Sequence, residues 1–262
     1  MPFSRYDRTA VMGILNVTPD SFFDGGRYQG VEAAVARALA IAEEGAHILD
    51  IGAQSTRPGA IPLTAEEEWA RLEPVLTALR GRLDIPLSVD TFFPFVAERA
   101  IACGVTVLND VSGSMDNGFP ALAAKHGVSL VMMARDAASA QDIRAYFESA
   151  ISEADNAHLP LSSLCLDIGI GFHRDRETDM DAVRHLPDIL NGLPKTAVLC
   201  GASRKRVIAH AARSDDPDRL AGTLALHTAA QLRGATVLRV HDVKEAVQAA
   251  AVIDTFMNKK EF

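Results

Sequence analysis

The stretch AVMGILNVTPDSFFDGGRYQGVEAAVARALAIAEEG, residues 10–45, contains the unit from which the whole chain is built. AVMGIL (10–15) is a short, nearly continuous apolar run, as expected of a strand buried on both faces. The loop that follows, within GILNVTPDSFFDGG (13–26), crowds Asn16, Asp20, Ser21 and Asp24 among the turn formers Pro19, Gly25 and Gly26. VEAAVARALAIAEEG (31–45) then carries helical periodicity. Strand, polar loop and helix make one β/α unit, and the unit recurs. HILDI (47–51), IPLSVD (85–90), VTVLN (105–109), VSLVMM (128–133), LCLDI (164–168), TAVLC (196–200) and TVLRV (236–240) are seven further strand candidates. Helical segments such as FVAERAIACG (95–104) separate them. Apolar strands alternating with helices imply a parallel sheet covered by helices. Eight such units in 262 residues predict a closed (β/α)8 TIM barrel, a single domain over 1–262.

Composition limits what such a barrel does. With 48% hydrophobic residues, the chain buries a sizeable core. A formal charge of −8 and a pI near 5.5 argue against nucleic acid or an anionic membrane as partner, since both need summed positive potential. An anionic small ligand therefore needs a local pocket of Arg and Lys. Cys103, Cys165 and Cys200 lie far apart without a CxxC or Cys/His cluster, which points to thiols in a reducing compartment rather than to disulfides or zinc. The amino-terminal MPFSRYDRTA lacks a signal-peptide pattern and no apolar run reaches membrane-spanning length, so a cytoplasmic protein is expected.

One helix has legible ends. Thr64 followed by Glu67 is a capping-box signature, and Trp69, Leu72, Leu76 and Leu79 share one face. Pro74 inside this pattern removes a backbone hydrogen bond and is expected to kink the helix. The stretch 134–160 is the least regular, with a helix around Ile143–Ile151 after a polar approach at 135–141.

In a barrel of this kind the carboxyl ends of the strands converge on one mouth. Those ends supply Asn16, Asp50, Asp90, Asn109, Asp167, the group Ser203–Arg204–Lys205, and Arg239 with His241. Singly, a strand-end Asp is often only a cap; together they indicate a site. Asp90, Asn109 and Asp167 form an acceptor-rich subset. A carboxylate accepting from adjacent N–H groups fixes a flat heterocycle, as the 2-amino-4-oxo pyrimidine edge of a pterin or guanine requires. Lys205 is placed to donate to the same ligand, its alternative being a solvated lysine at a helix start. Asn16, Arg57, Arg239 and His241 form a donor subset suited to phosphate oxygens. The alternative for Arg239 is a rim ion pair with Asp242 or Asp20. Asn16 offers magnesium only a neutral oxygen, so the remaining ligands must be water and phosphate. DIGAQSTRPGA (50–60), which includes Ser55, Thr56, Arg57 and the Pro58–Gly59 turn, is expected to close over the mouth with residues 17–30.

With GILNVTPDSFFDGG (13–26), DIGAQSTRPGA (50–60), SVDTF (88–92), LNDVSG (108–113), DIGIGF (167–172), GASRK (201–205) and RVHDV (239–243) in this order, the chain resembles the dihydropteroate synthases, a family of pterin-binding barrels. The resemblance spans essentially the whole chain. It implies condensation of 6-hydroxymethyl-7,8-dihydropterin diphosphate with 4-aminobenzoate, giving 7,8-dihydropteroate and diphosphate in folate biosynthesis. It further implies magnesium, a homodimer and a sulfonamide target. By motif, Asp90, Asn109, Asp167 and Lys205 bind the pterin. Asn16, Arg57, Arg239 and His241 hold the diphosphate, with Asn16 beside the metal. Thr56, Pro58 and Ser203 form the aminobenzoate slot.

Several positions depart from the family pattern. VMMARDA (131–137) stands where Met-His-Met is usual, and Met132 or Met133 is left as the pterin-stacking methionine. Ile168 replaces a usual Pro, His173 a usual Gly, and Ala53–Gln54 a usual Gly–Glu. Ile in place of Pro is expected to loosen the backbone that carries Asp167. The alternatives are a methyltetrahydrofolate:corrinoid methyltransferase, which has no use for a diphosphate clamp, and a non-catalytic pterin-binding protein.

Overall fold

The computed structural model of the chain describes residues 3, 8–18, 27–54, 62–172, 174–214 and 217–257. Eight parallel strands pair in sequence order and the last returns to the first, closing a (β/α)8 TIM barrel. They are β1 (Ala10–Asn16), β2 (Ile48–Gly52), β3 (Leu87–Thr91), β4 (Val107–Asp110), β5 (Ser129–Met133), β6 (Leu164–Asp167), β7 (Ala197–Cys200) and β8 (Val237–Val240). The covering helices are α1 (Arg27–Glu43), α2 (Ala65–Leu79), α3 (Pro94–Ala102), α4 (Phe119–His126), α5 (Ala140–Asn156), α6 (Arg176–Arg184), α7 (Leu186–Leu190), α8 (Arg206–Ala212), α9 (Leu220–Leu232) and α10 (Val243–Met257). Each expected strand is present at its expected place.

Local chemistry sets the helix starts. Thr64 and Glu67 form the reciprocal capping box of α2, and the helix runs on through Pro74 to Leu79. The irregular approach to α5 ends at Ser139, whose hydroxyl accepts the Asp142 N–H at 3.1 Å. Along the strands alternate side chains divide between two cores. Met12, Ile48, Val107, Val131, Cys165 and Leu199 belong to a cluster that fills the barrel interior, with Phe3 packed against it. The opposite parity, including Leu15, Leu49, Val89, Leu130 and Leu166, packs beneath the helices. Gly13 lies on that outer side, where a Cβ would stand 2.5 Å from the Ile41 side chain; its absence lets α1 seat against β1. Buried Asp254 accepts the Thr9 N–H at 2.9 Å and the Gln231 amide at 2.8 Å, tying α10 and α9 to the start of β1.

Candidate active site

The inward parity that supplies the apolar floor continues toward the strand ends with Asp50, Ser88, Asp90, Asn109, Asp167 and Arg239. Asp50 lies opposite Ser88 in the β2–β3 register and Asp90 opposite Asn109 in β3–β4. These groups satisfy one another. Asp50, fully buried, accepts from Ser88 Oγ at 2.6 Å, Asn109 Nδ2 at 3.1 Å and Arg239 Nε at 2.6 Å. Arg239 reaches on to donate from Nη2 to Asp90 Oδ2 at 2.5 Å. Of the two rim partners expected as the alternative for Arg239, Asp242 pairs with Arg204, and Asp20 lies outside the described residues.

Electrostatics follow from this crowding. Burial raises the Asp90 pKa and the Arg239 guanidinium opposes the rise. Asp167 is also raised by burial, against a 2.8 Å hydrogen bond from the Gly169 N–H. Burial works against the charge of Arg239, and Asp50 and Asp90 more than offset it. Lys205, the N-cap residue of α8, is pulled down to about 8 by burial. Its ammonium donates to the Ile170 carbonyl and stands 4.3 Å from the Phe172 ring centroid. Gly171, at φ +77°, makes room for it, since a Cβ there would come within 2.7 Å of Lys205 Cδ.

Beside Arg239 is the second group. Ser203 Oγ accepts the His241 backbone N–H at 3.1 Å and lies 3.0 Å from its Nδ1. Oγ keeps a second lone pair and its own proton, so it pairs with Nδ1 in either ring tautomer. Burial, with Arg239 and Arg204 nearby, lowers the His241 pKa to about 4, so the ring is a neutral donor at pH 7. Asn16 ends β1 exposed on the same rim. Thr56, Arg57 and Pro58 lie outside the described residues, as do 19–26 and 55–61 of the two loops expected to close the mouth.

Residues 12–241 match the pterin binding enzyme family. The dihydropteroate synthase of Bacillus subtilis is 37% identical over 98% of this chain and 91% of its own. The chain belongs to the dihydropteroate synthase family. Xanthomonas albilineans dihydropteroate synthase, solved with 4-aminobenzoic acid, superposes with a TM-score of 0.88 at 41% identity, covering 96% of this chain and 94% of that one. The same enzyme solved with 7,8-dihydropteroate gives a TM-score of 0.85 at 38% identity, with the same coverage. The folate synthesis bifunctional protein of Arabidopsis thaliana is 38% identical over 97% of this chain, which spans only 58% of that protein's length.

As a dihydropteroate synthase family member, the chain departs from the family at several positions, of which His173 lies outside the described residues. Met132 is a correction. It packs in the outer core beneath the helices, whereas Met133, two residues beyond the interior Val131 and opposite Asp167, has the inward parity. The alternation along β5 rules Met132 out of the pocket. Ile168 is a second correction. Its N–H donates to the Leu199 carbonyl at 3.2 Å, a ladder bond that Pro cannot form, so the backbone after Asp167 is tied to β7 rather than loosened. Gln54 bridges Glu68 Oε2, at 3.1 Å from Nε2, and the Leu63 N–H, at 2.8 Å from Oε1. Burial raises the Glu68 pKa, and a second carboxylate at position 54 would meet it with like charge. Two participants escaped the sequence reasoning: Asp50, seen only as a strand-end acid, and Phe172, the ring beneath Lys205. The Asp50 signal was present in its position at a strand end beside SVD (88–90), where the pairing partner supplies a hydroxyl.

Proposed function

We propose that the chain condenses 6-hydroxymethyl-7,8-dihydropterin diphosphate with 4-aminobenzoate, yielding 7,8-dihydropteroate and diphosphate. One observation carries this reading: Arg239 pairs with Asp90, of the acceptor group for a flat ring, and its charge acts on His241, of the donor group with Ser203. A ring and its anionic tail are thereby gripped at adjacent places in one mouth.

In this reading Asp90, Asn109, Asp167 and Lys205 hold the pterin, and Met133 offers a thioether to its face. Arg239, His241 and Arg57 take the diphosphate. Thr56, Pro58 and Ser203 border the aminobenzoate, and sulfonamides compete for the same slot. The bond from the pterin methylene to the diphosphate oxygen breaks, its electron pair leaving with the diphosphate. The aryl amine then bonds to the methylene carbon and loses one proton. Asp90 and Asp167 favour the electron-poor ring while the cationic side favours the departing anion, so catalysis is electrostatic and positional and needs no enzyme nucleophile.

Magnesium fits as a metal that arrives with its phosphate. Among the described residues no three His, Cys, Asp or Glu side chains group as a metal site, and Asn16 is the rim oxygen offered. When bound, it supplies positive charge to the leaving group. A homodimer and a cytoplasmic location accompany this reading. The exposed Val252, Phe256 and Met257 of α10 provide apolar surface for such a pairing, and the three cysteines are free thiols. The test is diphosphate release measured with and without 4-aminobenzoate in the presence of magnesium. Release that depends on the amine is expected, and a rate indifferent to it would overturn the reading.

A further inference from the structure

Among the described polar groups of the mouth, Asp50 alone accepts from two of the residues assigned to the ligand, yet its side chain has no exposed surface. Whatever it contributes to binding must pass through the groups it holds. It holds Asn109 first. A carboxylate only accepts, so the Asn109 group facing it has to be the NH2, at 3.1 Å. This leaves Asn109 Oδ1 pointing the other way, buried and without a hydrogen-bond partner among the described residues. An unmatched buried acceptor is costly unless something donates to it. Reversing the amide would set oxygen against the Asp50 carboxylate and turn two donors toward the ligand. Asp50 thus decides which edge of Asn109 a ligand meets.

It holds Arg239 second. Nε goes to Asp50 and Nη2 to Asp90. A ring N–H that binds Asp90 competes with Nη2 for the carboxylate, and the tie from Nε keeps the guanidinium in place while its Nη groups turn to an anion. Ser88 Oγ, 2.6 Å from Asp50 Oδ1, sets the carboxylate plane from the neighbouring strand.

We propose that Asp50, braced by Ser88, is a positioning residue that presents the Asn109 carbonyl edge to a ring N–H and anchors Arg239 while Asp90 changes partners. The proposal rests on the pterin reading above and names the group that makes it specific. Asp50→Asn distinguishes geometry from charge. Its oxygen can face Asn109 and Arg239 while its NH2 donates to Ser88 Oγ, so orientation survives; Asp50→Ala removes it.

The experiment measures affinity for 6-hydroxymethylpterin, which lacks the diphosphate, by calorimetry on wild type, Asp50→Ala, Asp50→Asn, Asn109→Ala and the double Asp50→Ala/Asn109→Ala. Thermal unfolding is followed in parallel. Asp50→Ala is expected to bind the pterin roughly 10- to 100-fold more weakly, the range for one mismatched buried hydrogen bond. Asp50→Asn should stay within about 5-fold of wild type. The double variant should bind about as weakly as Asn109→Ala alone, because the two residues act through one contact. Wild-type affinity in folded Asp50→Ala, or losses that multiply in the double variant, overturns the proposal. If Asp50→Ala does not fold, Ser88→Ala carries the test: it leaves Asn109 and Arg239 intact, and an affinity unchanged from wild type is the overturning result. Failure of wild type itself to bind 6-hydroxymethylpterin would instead sink the pterin reading.

Discussion

The floor and the mouth of the barrel are built by the same strands and the same inward parity, one step of two residues apart. Ile48 gives way to Asp50, Val107 to Asn109, Cys165 to Asp167 and Val237 to Arg239. Below, side chains satisfy one another by filling space, and nothing from outside can improve on that. Above, they satisfy one another by hydrogen bonds and charge, as Arg239 does across Asp50 and Asp90, and a ligand offering the same donors can replace a partner. The floor is therefore a stability element and the mouth an exchangeable one. Substitutions should separate the two.

Arg239→Ala is the strongest test. Turnover is expected to fall about 10³-fold, at the upper end for loss of a donor to developing anionic charge. Affinity for a pterin without diphosphate should change far less. Equal losses in the two measurements would place Arg239 with the structural residues. Leu199→Ala, in the floor, should do the reverse. It removes a fully buried side chain at a cost of about 2–5 kcal/mol, read by denaturant unfolding, while turnover per folded molecule stays within about twofold. A large kinetic defect in folded Leu199→Ala would erase the distinction between floor and mouth.

His227 extends the comparison to what supports the mouth. Buried on α9, it accepts the Ala202 N–H at Nε2, 3.1 Å away, and so steadies the turn that delivers Ser203 and Lys205. Burial lowers its pKa to about 4. An unfolded chain, with an ordinary His pKa near 6.5, binds a proton that the folded chain refuses anywhere between these values. Stability from this group is thus complete above about pH 6.5 and is lost as pH falls toward about 4, up to about 3 kcal/mol. His227→Gln keeps an acceptor but does not titrate. Urea midpoints at pH 7, 6, 5 and 4 should show the variant gaining on wild type as pH falls; parallel curves would remove His227 from the acid response.

The strands and the direction of their ends were legible because apolar runs and strand-end polar residues are local signals. Parity inside a run was not. VSLVMM (128–133) is buried on both faces, so neither hydrophobicity nor length tells Met132 from Met133; only pairing with β6 does. Asp50 was legible as a position but not as a hub, since its donors come from β3, β4 and β8. Such a convergence exists only after the barrel closes. The cost of Ile168 was misjudged for a related reason: the rigidity of Pro is a property of one residue, whereas the hydrogen bond that Ile168 gains depends on where β7 lies.

That hydrogen bond is where floor and mouth meet, and it supports the smallest of the expected effects. Leu199 contributes its side chain to the floor and its carbonyl to Ile168, the residue next to Asp167. Ile168→Pro removes the N–H and leaves that carbonyl short of a partner, a loss of about 1 kcal/mol. The stiffer unfolded chain returns about 0.4–1 kcal/mol of it where the backbone accepts Pro without strain. The buried Ile side chain is also exchanged for a smaller ring, so the balance should fall on the side of loss. A drop of about 2–4 °C in Tm is expected, the scale of a 1 kcal/mol change in a domain of this size. Pterin affinity should hold near wild type, because Asp167 keeps its own hydrogen bond from the Gly169 N–H. A rise in Tm would mean that chain stiffness outweighs the ladder bond, and that the tie between β6 and β7 contributes less to holding Asp167 than its geometry suggests.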